Sequence, residues 1–369
     1  MKSQRDRQTD RRARKPAARA VAPAEGGAAG KAVGRAAGAA DGKVAGRPAG
    51  GQESREREVS ARPRAPRRQE PLPAETLPLI LEVEPGADYA LVDSGDGRKL
   101  ERYGPYLIDR PEGQAIWRPA LPEREWRKAD AVFTGDTDEE GMGRWRFPRE
   151  PLGETWPMKH DGIDYLGRFT SFRHVGVFPE QASHWRHMEE AIAAARRPVK
   201  VLNLFGYTGL ASLVAARAGA QVTHVDASKK AIGWARENQE MARLAEKPIR
   251  WICEDAMRFV EREERRGSRY DIVLLDPPAY GRGPKGEVWQ LFDDLPAMVE
   301  LTRAILSPKP LAVVLTAYSI RASFFAIHAL MRDAFAGMGG RVESGELVIR
   351  EEAAGRRLST SLFSRWVAA

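Results

Sequence analysis

Acidic residues follow three successive short apolar segments in the C-terminal half of the chain. Asp226 follows the first segment, Asp255 the second and Asp276 the third. At the carboxyl end of a parallel strand, Asp226 can accept hydrogen bonds from both hydroxyls of a ribose, and Asp255 can accept from the exocyclic amine of an adenine. Each acid alone is readily explained as a helix cap or a loop charge. Their regular recurrence after a glycine-containing turn instead indicates one shared ligand.

The glycine-containing turn comes 17 residues before Asp226 and reads Asn203-Leu204-Phe205-Gly206-Tyr207-Thr208-Gly209. It follows an apolar segment that is typical of a buried strand, and its glycines let the backbone approach a ligand. The spacing differs from the Gly-x-Gly-x-x-Gly pattern of dinucleotide-binding proteins, which disfavours NAD as the ligand. Two glycines at this spacing are weak evidence by themselves.

The third acid begins the segment Asp276-Pro277-Pro278. The preceding Ile-Val-Leu-Leu run is typical of a fully buried parallel strand, and the two prolines end it. Because proline has no N–H and a fixed φ, rigid carbonyl groups remain to accept hydrogen bonds from an amine or the edge of a base. The alternative interpretation is an ordinary turn at the end of a strand.

The composition limits the class of protein. With 369 residues, of which 42% are apolar, the chain can form one large domain and a smaller one. No run of eighteen apolar residues occurs, so we predict no membrane span. The single cysteine, Cys253, excludes an intramolecular disulfide and a zinc site of several cysteines, and it favours a cytoplasmic location. The histidines are too scattered for a metal site, so we predict no metal.

The positive charge is concentrated at the N-terminus. Residues 1–75 hold 18 Lys/Arg and 9 Asp/Glu, a net charge of +9, whereas residues 76–369 carry −1. This tail is rich in Ala, Gly, Pro and Arg and has too few large apolar residues to form a core, so we predict that it is disordered. It is suited to contacting RNA phosphates without reading sequence, or it is merely a solubilising tail.

The remaining chain divides into two segments by its pattern. Residues 76–173 contain short apolar runs between Gly, Asp and Pro turns and predict a small β-rich module. Residues 174–369 alternate predicted strands and helices, which indicates an α/β fold with a doubly wound parallel sheet. Ser228 is the predicted N-cap of one of these helices, over residues 229–244. The last two strands are separated by only about ten residues and must therefore form an antiparallel hairpin.

These residues resemble the class I S-adenosylmethionine-dependent methyltransferases. More narrowly, they resemble the bacterial ribosomal large-subunit RNA methyltransferase family that includes 5-methylcytosine and 7-methylguanine enzymes. The matching segments are residues 201–209, 225–228, 254–255 and 275–278. A further match is Gly176-Val177-Phe178-Pro179-Glu180-Gln181, which resembles a segment that closes over the cofactor in this family.

The resemblance implies a seven-stranded Rossmann-like sheet, S-adenosylmethionine as cofactor, and roles for individual residues. The backbone from Phe205 to Gly209 would hold the methionine part, Asp226 the ribose and Asp255 the adenine. Asp276, Pro277, Pro278 and Tyr280 would face the substrate. The full set of implied cofactor residues is Phe178, Gln181, Asn203, Phe205, Gly206, Tyr207, Thr208, Gly209, Asp226, Ala227, Ser228, Asp255 and Ala256.

The absence of a cysteine from one segment predicts which kind of atom is methylated. Methylation of cytosine carbon requires a thiolate that attacks the ring, and the family's enzymes carry it just after the fifth strand. The corresponding segment here, residues 315–320, has no cysteine. We expect Cys253 to be a buried packing residue in another crevice, so we predict a nitrogen target. Ala279 stands where N-methyltransferases of bases usually have an aromatic residue, and Tyr280 follows it.

The predicted substrate is ribosomal or other structured RNA. Arg282 and Lys285 lie in a Gly-rich loop, which we interpret either as a flexible basic loop that contacts phosphate or as a merely solvated one. Two alternatives stay open: a methyltransferase for a protein or small molecule, which the near-neutral body of the chain favours, and a non-catalytic RNA-binding protein. No oligomeric state is predicted.

Overall fold

The computed structural model describes residues 69–135, 143–318 and 322–369, which lie in one unit, Ala65–Ala369. Most of the predicted basic tail therefore lies outside the described residues. The described strands are β1 (Ala74–Val83), β2 (Tyr89–Gly95), β3 (Arg98–Tyr103), β4 (Tyr106–Pro111), β5 (Ala131–Gly135), β6 (Gly143–Arg146), β7 (Thr155–His160), β8 (Ile163–Arg168), β9 (Lys200–Leu204), β10 (Gln221–Asp226), β11 (Ile249–Cys253), β12 (Ile272–Leu275), β13 (Tyr280–Arg282), β14 (Val288–Gln290), β15 (Ala312–Tyr318), β16 (Arg341–Arg350) and β17 (Arg357–Val367). The described α-helices are α1 (Glu123–Trp126), α2 (Ala182–Ala195), α3 (Leu210–Arg217), α4 (Lys229–Met241), α5 (Ala256–Arg265), α6 (Leu291–Ala304) and α7 (Phe324–Ala334).

The main sheet has eight strands in the order β1-β16-β17-β15-β12-β9-β10-β11. The strands from β15 to β11 are parallel, and β17 runs antiparallel to both β15 and β16. Apolar side chains of α2 and α3 pack on one face, and those of α5, α6 and α7 pack on the other. The predicted doubly wound α/β fold is confirmed, and β16 and β17 form the antiparallel pair expected at the end of the chain.

One strand of the N-terminal β-rich segment joins the main sheet. Strand β1 pairs in parallel with β16 and adds an eighth strand to the main sheet, with Leu81 opposite Leu347. This pairing covers the exposed edge of β16, whose backbone groups need partners. The rest of the segment forms a five-stranded sheet, β2-β3-β4-β5-β6, and the pair β7-β8. Asn238 of α4 accepts a hydrogen bond from the backbone N–H of Leu166 in β8, 2.9 Å away, and so links this segment to the main sheet.

The parallel register brings the predicted residues to one edge of the sheet. Leu204 lies opposite Val225 on one side and Leu275 on the other. The next residue along each strand is Phe205, Asp226 or Asp276, so the glycine turn and two of the acids begin at the same level. The parallel strands therefore bring to one edge of the sheet residues that are about 70 positions apart in the sequence.

Local signals set the helix starts near this edge. Ser228 caps α4, as predicted, by accepting a hydrogen bond from the N–H of Ala231. Asp255 caps α5 in the same way through the N–H of Arg258. No helix within the described ranges has both the length and the apolar character needed to cross a membrane.

Candidate active site

A cavity of about 450 Å³ opens at the carboxyl edge of the main sheet. The carboxylates predicted from the sequence, Asp226, Asp255 and Asp276, all line it. A smaller cavity of about 60 Å³ shares Phe178, Gln181 and Asp276 with the large one and extends toward the glycine turn. The three predicted acids thus face one continuous site.

The glycine turn has an unusual backbone conformation that Asp226 stabilises. Phe205 and Tyr207 have φ values of 57° and 50°, which lie in a backbone region that residues with a Cβ rarely adopt. The Tyr207 N–H donates to Asp226 Oδ2 at 2.9 Å, and the Ser228 N–H donates to Oδ1 at 2.7 Å. The carboxylate therefore holds two loops together, and each oxygen keeps a second lone pair for a ligand.

The two glycines of this turn are required for different reasons. A Cβ on Gly206 would lie 2.4 Å from Cε1 of the buried His224, so there is no room for a side chain. Gly209 has a φ of +83° and begins α3, where a Cβ would also lie 2.9 Å from Cβ of Ala235. The glycine pattern thus reflects the packing of the turn as well as access for a ligand.

Two of the predicted cofactor residues, Asn203 and Thr208, are engaged within the protein. The Asn203 side-chain amide donates to Ser212 Oγ at 3.0 Å. The Thr208 hydroxyl donates to the Gly176 carbonyl at 2.6 Å, which ties the turn to the segment that precedes α2. Both residues are buried and line the small cavity. They position the turn and also form a wall of the site.

At the far side of the large cavity, Asp255 lies beside Ala256, with Ala227 and Ser228 nearby. Its Oδ1 accepts from the Arg258 N–H at 3.0 Å, so the helix-cap interpretation of this acid is correct as well. Burial raises the pKa of Asp255, and the Arg258 N–H partly offsets that effect. One carboxylate oxygen remains for an amine of a ligand.

Cys253 is exposed, and the expectation that it is a buried packing residue is wrong. It ends β11 beside Asp226, and the edge position of β11 in the sheet leaves its side chain uncovered. Its Sγ lies 3.6 Å from the Ala227 carbonyl. It is absent from the residues that line either cavity.

The Asp-Pro-Pro segment lies where the large and small cavities meet. Gln181 Nε2 donates to Asp276 Oδ2 at 3.1 Å. Trp289 Nε1 donates to the Pro278 carbonyl at 2.7 Å and thereby fixes the second proline. Burial, followed by the charge of Glu180, raises the pKa of Asp276 to about 7. The Pro277 carbonyl has no hydrogen-bond donor among the described residues.

The segment after Pro278 forms a hairpin, in which residues 283–287, including most of the predicted Gly-rich loop, connect the two strands. Strands β13 and β14 pair through Gly281 and Trp289, and burial of the Trp289 ring anchors them. Tyr280 is 43% exposed at the cavity rim. The Arg282 guanidinium lies 5.9 Å from the centre of the Tyr280 ring and also lines the cavity. Lys285 is exposed at the hairpin tip and does not line it.

The structure adds cavity residues that the sequence did not single out. They come from the loop before α2, from the ends of β15 and from β17, and none lies next to a predicted strand-end acid: Phe172, His174, Glu180, Thr316, Tyr318 and Ser361. The sequence could have identified Glu180 as a site residue, because it lies between Phe178 and Gln181 in the matched segment. In the described part of the chain, no group of three or more His, Cys, Asp or Glu is placed to hold a metal ion.

Comparisons with known proteins agree with this geometry. The family model described as "Conserved hypothetical protein 95" matches residues 185–300. The ribosomal RNA large subunit methyltransferase K/L of Syntrophotalea carbinolica is 32% identical over 129 residues, 35% of this chain and 17% of that protein. The ribosomal RNA large subunit methyltransferase K of Neisseria meningitidis is 24% identical over 201 residues, 52% of this chain and 54% of that protein. The chain thus spans about half or less of these curated relatives.

A solved structure matches over almost its whole length. The crystal structure of the S-adenosylmethionine-dependent methyltransferase from Agrobacterium tumefaciens is 64% identical in sequence and superposes with a TM-score of 0.80. The match covers 82% of this chain and 97% of that one. Together with the strand order and the acids at the strand ends, this similarity shows that the chain belongs to the S-adenosylmethionine-dependent methyltransferases.

Proposed function

We propose that the protein transfers a methyl group from S-adenosylmethionine to a base nitrogen of ribosomal or other structured RNA. The observation that carries this proposal is the position of Asp276 and of the Pro277 carbonyl. Two hydrogen-bond acceptors lie at one strand end, on the cavity that the cofactor residues also line. A ribosomal RNA substrate agrees with the cytoplasmic location that the single cysteine favours.

The residues of the site fit the methyl donor. A cavity of about 450 Å³ is in the size range of cofactor sites. Asp226 keeps free lone pairs for ribose hydroxyls, Asp255 keeps one oxygen for the adenine amine, and the rings of Phe178 and Phe205 supply apolar walls. The donor supplies an activated methyl group bound to a positively charged sulfur.

The substrate side of the site is suited to presenting a nitrogen. An exocyclic amine that donates one hydrogen bond to Asp276 and one to the Pro277 carbonyl is held with its lone pair directed away from both acceptors. The rate of methyl transfer then depends mainly on how well the nitrogen is aligned with the methyl group, because the leaving group is already activated. Asp276 is also able to accept the proton that the nitrogen loses, since the pKa of Asp276 is raised to about 7.

The absence of a thiol supports nitrogen over cytosine carbon. The sequence has one cysteine, and its exposed thiol lies outside the residues that line the two cavities. Methylation of a cytosine carbon needs a thiolate that forms a covalent thioether with the ring, and no cysteine lines either cavity to supply it.

Three features support RNA as the substrate. Tyr280 is exposed at the rim and is available to stack on an unpaired base. Arg282 lies beside it, Lys285 extends from the hairpin tip, and both are placed to contact phosphates. The curated relatives are named as ribosomal RNA methyltransferases.

A protein or small-molecule substrate is the second candidate, and one observation favours it. Residues 76–369 carry a net charge of −1, whereas RNA-binding surfaces are usually basic. On the first proposal, the basic N-terminal tail supplies the missing attraction.

One experiment separates the candidates. Purified protein and methyl-labelled S-adenosylmethionine are incubated with ribosomal subunits, with free ribosomal RNA and with a cell extract treated with ribonuclease, all from a strain that lacks this gene. We expect label in RNA, at a nitrogen of one nucleotide. Label confined to protein or small molecules would contradict the RNA proposal. Deletion of residues 1–68, the part of the tail that precedes the described residues, should weaken RNA binding and make it less dependent on salt.

A further inference from the structure

Glu180 is a buried carboxylate on the wall of the large cavity. It is 5% exposed and lines the cavity together with Asp276. No ion pair of the described residues includes Glu180 or Asp276. The hydrogen bond to its own backbone N–H is too weak a compensation for a buried negative charge.

The two cations that lower the pKa of Glu180, Lys99 and Arg110, form their ion pairs with other acids. Lys99 Nζ lies 3.1 Å from Glu112 and 3.8 Å from Glu101. Arg110 forms a 2.6 Å ion pair with Glu101. Two cations and two carboxylates thus form a balanced cluster in the N-terminal five-stranded sheet, and neither cation forms an ion pair with Glu180 or Asp276.

Among the described residues, the one side-chain hydrogen-bond partner of Asp276 is neutral. The Gln181 amide donates to its Oδ2 and orients the carboxylate, but it does not neutralise the charge. Two carboxylates on one cavity that form no ion pair with a described residue cannot both ionise at low cost, so one of them keeps a proton or a cationic ligand enters. Burial raises the pKa of each acid to about 7, and at Asp276 the charge of Glu180 adds to that effect.

We propose that Glu180 and Asp276 form a coupled acid pair that holds one proton between them, releases it when the cationic methyl donor binds, and takes up the proton that the substrate nitrogen loses. The last of these three steps rests on the proposed function, whereas the first two do not. In that step the nitrogen lone pair forms the new N–C bond, and the electrons of the broken C–S bond stay on sulfur. The N–H proton passes to the carboxylate pair, so the reaction is balanced without another base.

This arrangement makes the N-terminal sheet part of the active site. Lys99 and Arg110 lower the pKa of Glu180, and Glu101 raises it, so the balanced cluster sets how readily the pair ionises. Arg110 also donates to the Arg173 carbonyl at 2.9 Å, and Arg173 donates to the Tyr318 hydroxyl at 3.0 Å at the cavity wall. The other titratable groups around the pair are the buried side chains of Tyr89, Tyr103 and His174.

The test measures protons exchanged on binding, without any RNA. Full-length protein is titrated with S-adenosylmethionine and with S-adenosylhomocysteine at pH 7, in buffers of different ionisation enthalpy. The two ligands differ in the sulfonium charge, so the difference in proton release isolates the response of the protein to that charge. We expect S-adenosylmethionine to release more protons per bound ligand than S-adenosylhomocysteine does, by a clear fraction of one proton. Glu180→Gln should remove at least half of this difference.

Three comparisons make the outcome decisive. Glu84→Gln, a change at an exposed acid, should keep the full difference. Asp276→Asn should lose it as Glu180→Gln does, which guards against a folding defect in one variant. Equal proton release for the two ligands in the wild type, or an unchanged difference in Glu180→Gln, would overturn the proposal. Because no acceptor is present, a failure to methylate RNA leaves this result intact, and the reverse also holds.

Discussion

The side-chain amide of Gln181 joins two strand ends: its Nε2 donates to Asp276 at 3.1 Å, and its Oε1 accepts from the Thr316 hydroxyl at 3.3 Å. The segment before α2 is thereby attached to the ends of β12 and β15. This neutral amide orients the Asp276 carboxylate but does not neutralise its charge, so other groups set the pKa of Asp276.

Replacing Asp276 by Asn should abolish most methyl transfer. The substitution keeps the size of the side chain but removes the charge and the proton acceptor, so we expect the rate to fall by about 10²–10⁴-fold. The dissociation constant of S-adenosylhomocysteine, measured by calorimetry, should change less than about threefold, roughly 0.6 kcal/mol. Equal losses in catalysis and in ligand binding would show that Asp276 belongs to the cofactor site instead.

Asp226→Asn should weaken cofactor binding itself. The carboxylate already accepts from the Tyr207 and Ser228 N–H groups, and an amide can replace only part of this acceptor capacity. Loss of hydrogen bonds to a charged group costs about 1.5–3 kcal/mol, so we expect the dissociation constant to rise about 10–150-fold. Glu237→Gln on the exposed surface of α4 is the matched control and should bind as the wild type does.

Gly206→Ala should destabilise the fold. The added Cβ would meet the His224 ring at 2.4 Å and Asn203 Nδ2 at 2.9 Å, and both neighbours are buried. Such overpacking costs about 1–3 kcal/mol, which denaturant unfolding would detect. Gly233→Ala, at a position where an added Cβ meets nothing within 4 Å, should be neutral or slightly stabilising because it lies within α4.

Cys253→Ala should leave methyl transfer unchanged within about twofold, because the exposed thiol lies outside the proposed substrate site. Alkylation of the wild-type thiol should produce an adduct, while a trapped covalent complex with a 5-fluorocytosine-containing RNA should not form. Loss of activity in the variant, with cofactor binding retained, would instead support carbon methylation.

Acid should destabilise the protein through His224. Burial lowers the pKa of His224 from 6.5 to about 3, so below pH 6.5 the unfolded chain binds a proton that the folded chain does not. The free energy of unfolding should therefore fall as the pH decreases, by about 2 kcal/mol from this group at pH 5. His224→Gln should be less stable at pH 7 but should show a shallower loss between pH 7 and 5 in chemical unfolding.

The sequence by itself determined the class of fold and the set of residues that we predict to carry the chemistry. Apolar runs ending in Asp226, Asp255 and Asp276 predicted parallel strands, and parallel strands place their carboxyl ends at one edge. Ser228 predicted the start of α4, since a hydroxyl before a helix satisfies a free N–H. These inferences depend on short-range patterns, which a single sequence contains.

Only the tertiary structure decided the environment of those residues. The pairing of β1 with β16 and the exposure of Cys253 depend on how segments far apart in the chain are arranged. The proposed role of Glu180 has the same origin, because it depends on Lys99 and Arg110 forming their ion pairs with other acids. Sequence spacing fixes which groups can lie at the strand ends, but burial and the charges around them depend on packing in three dimensions.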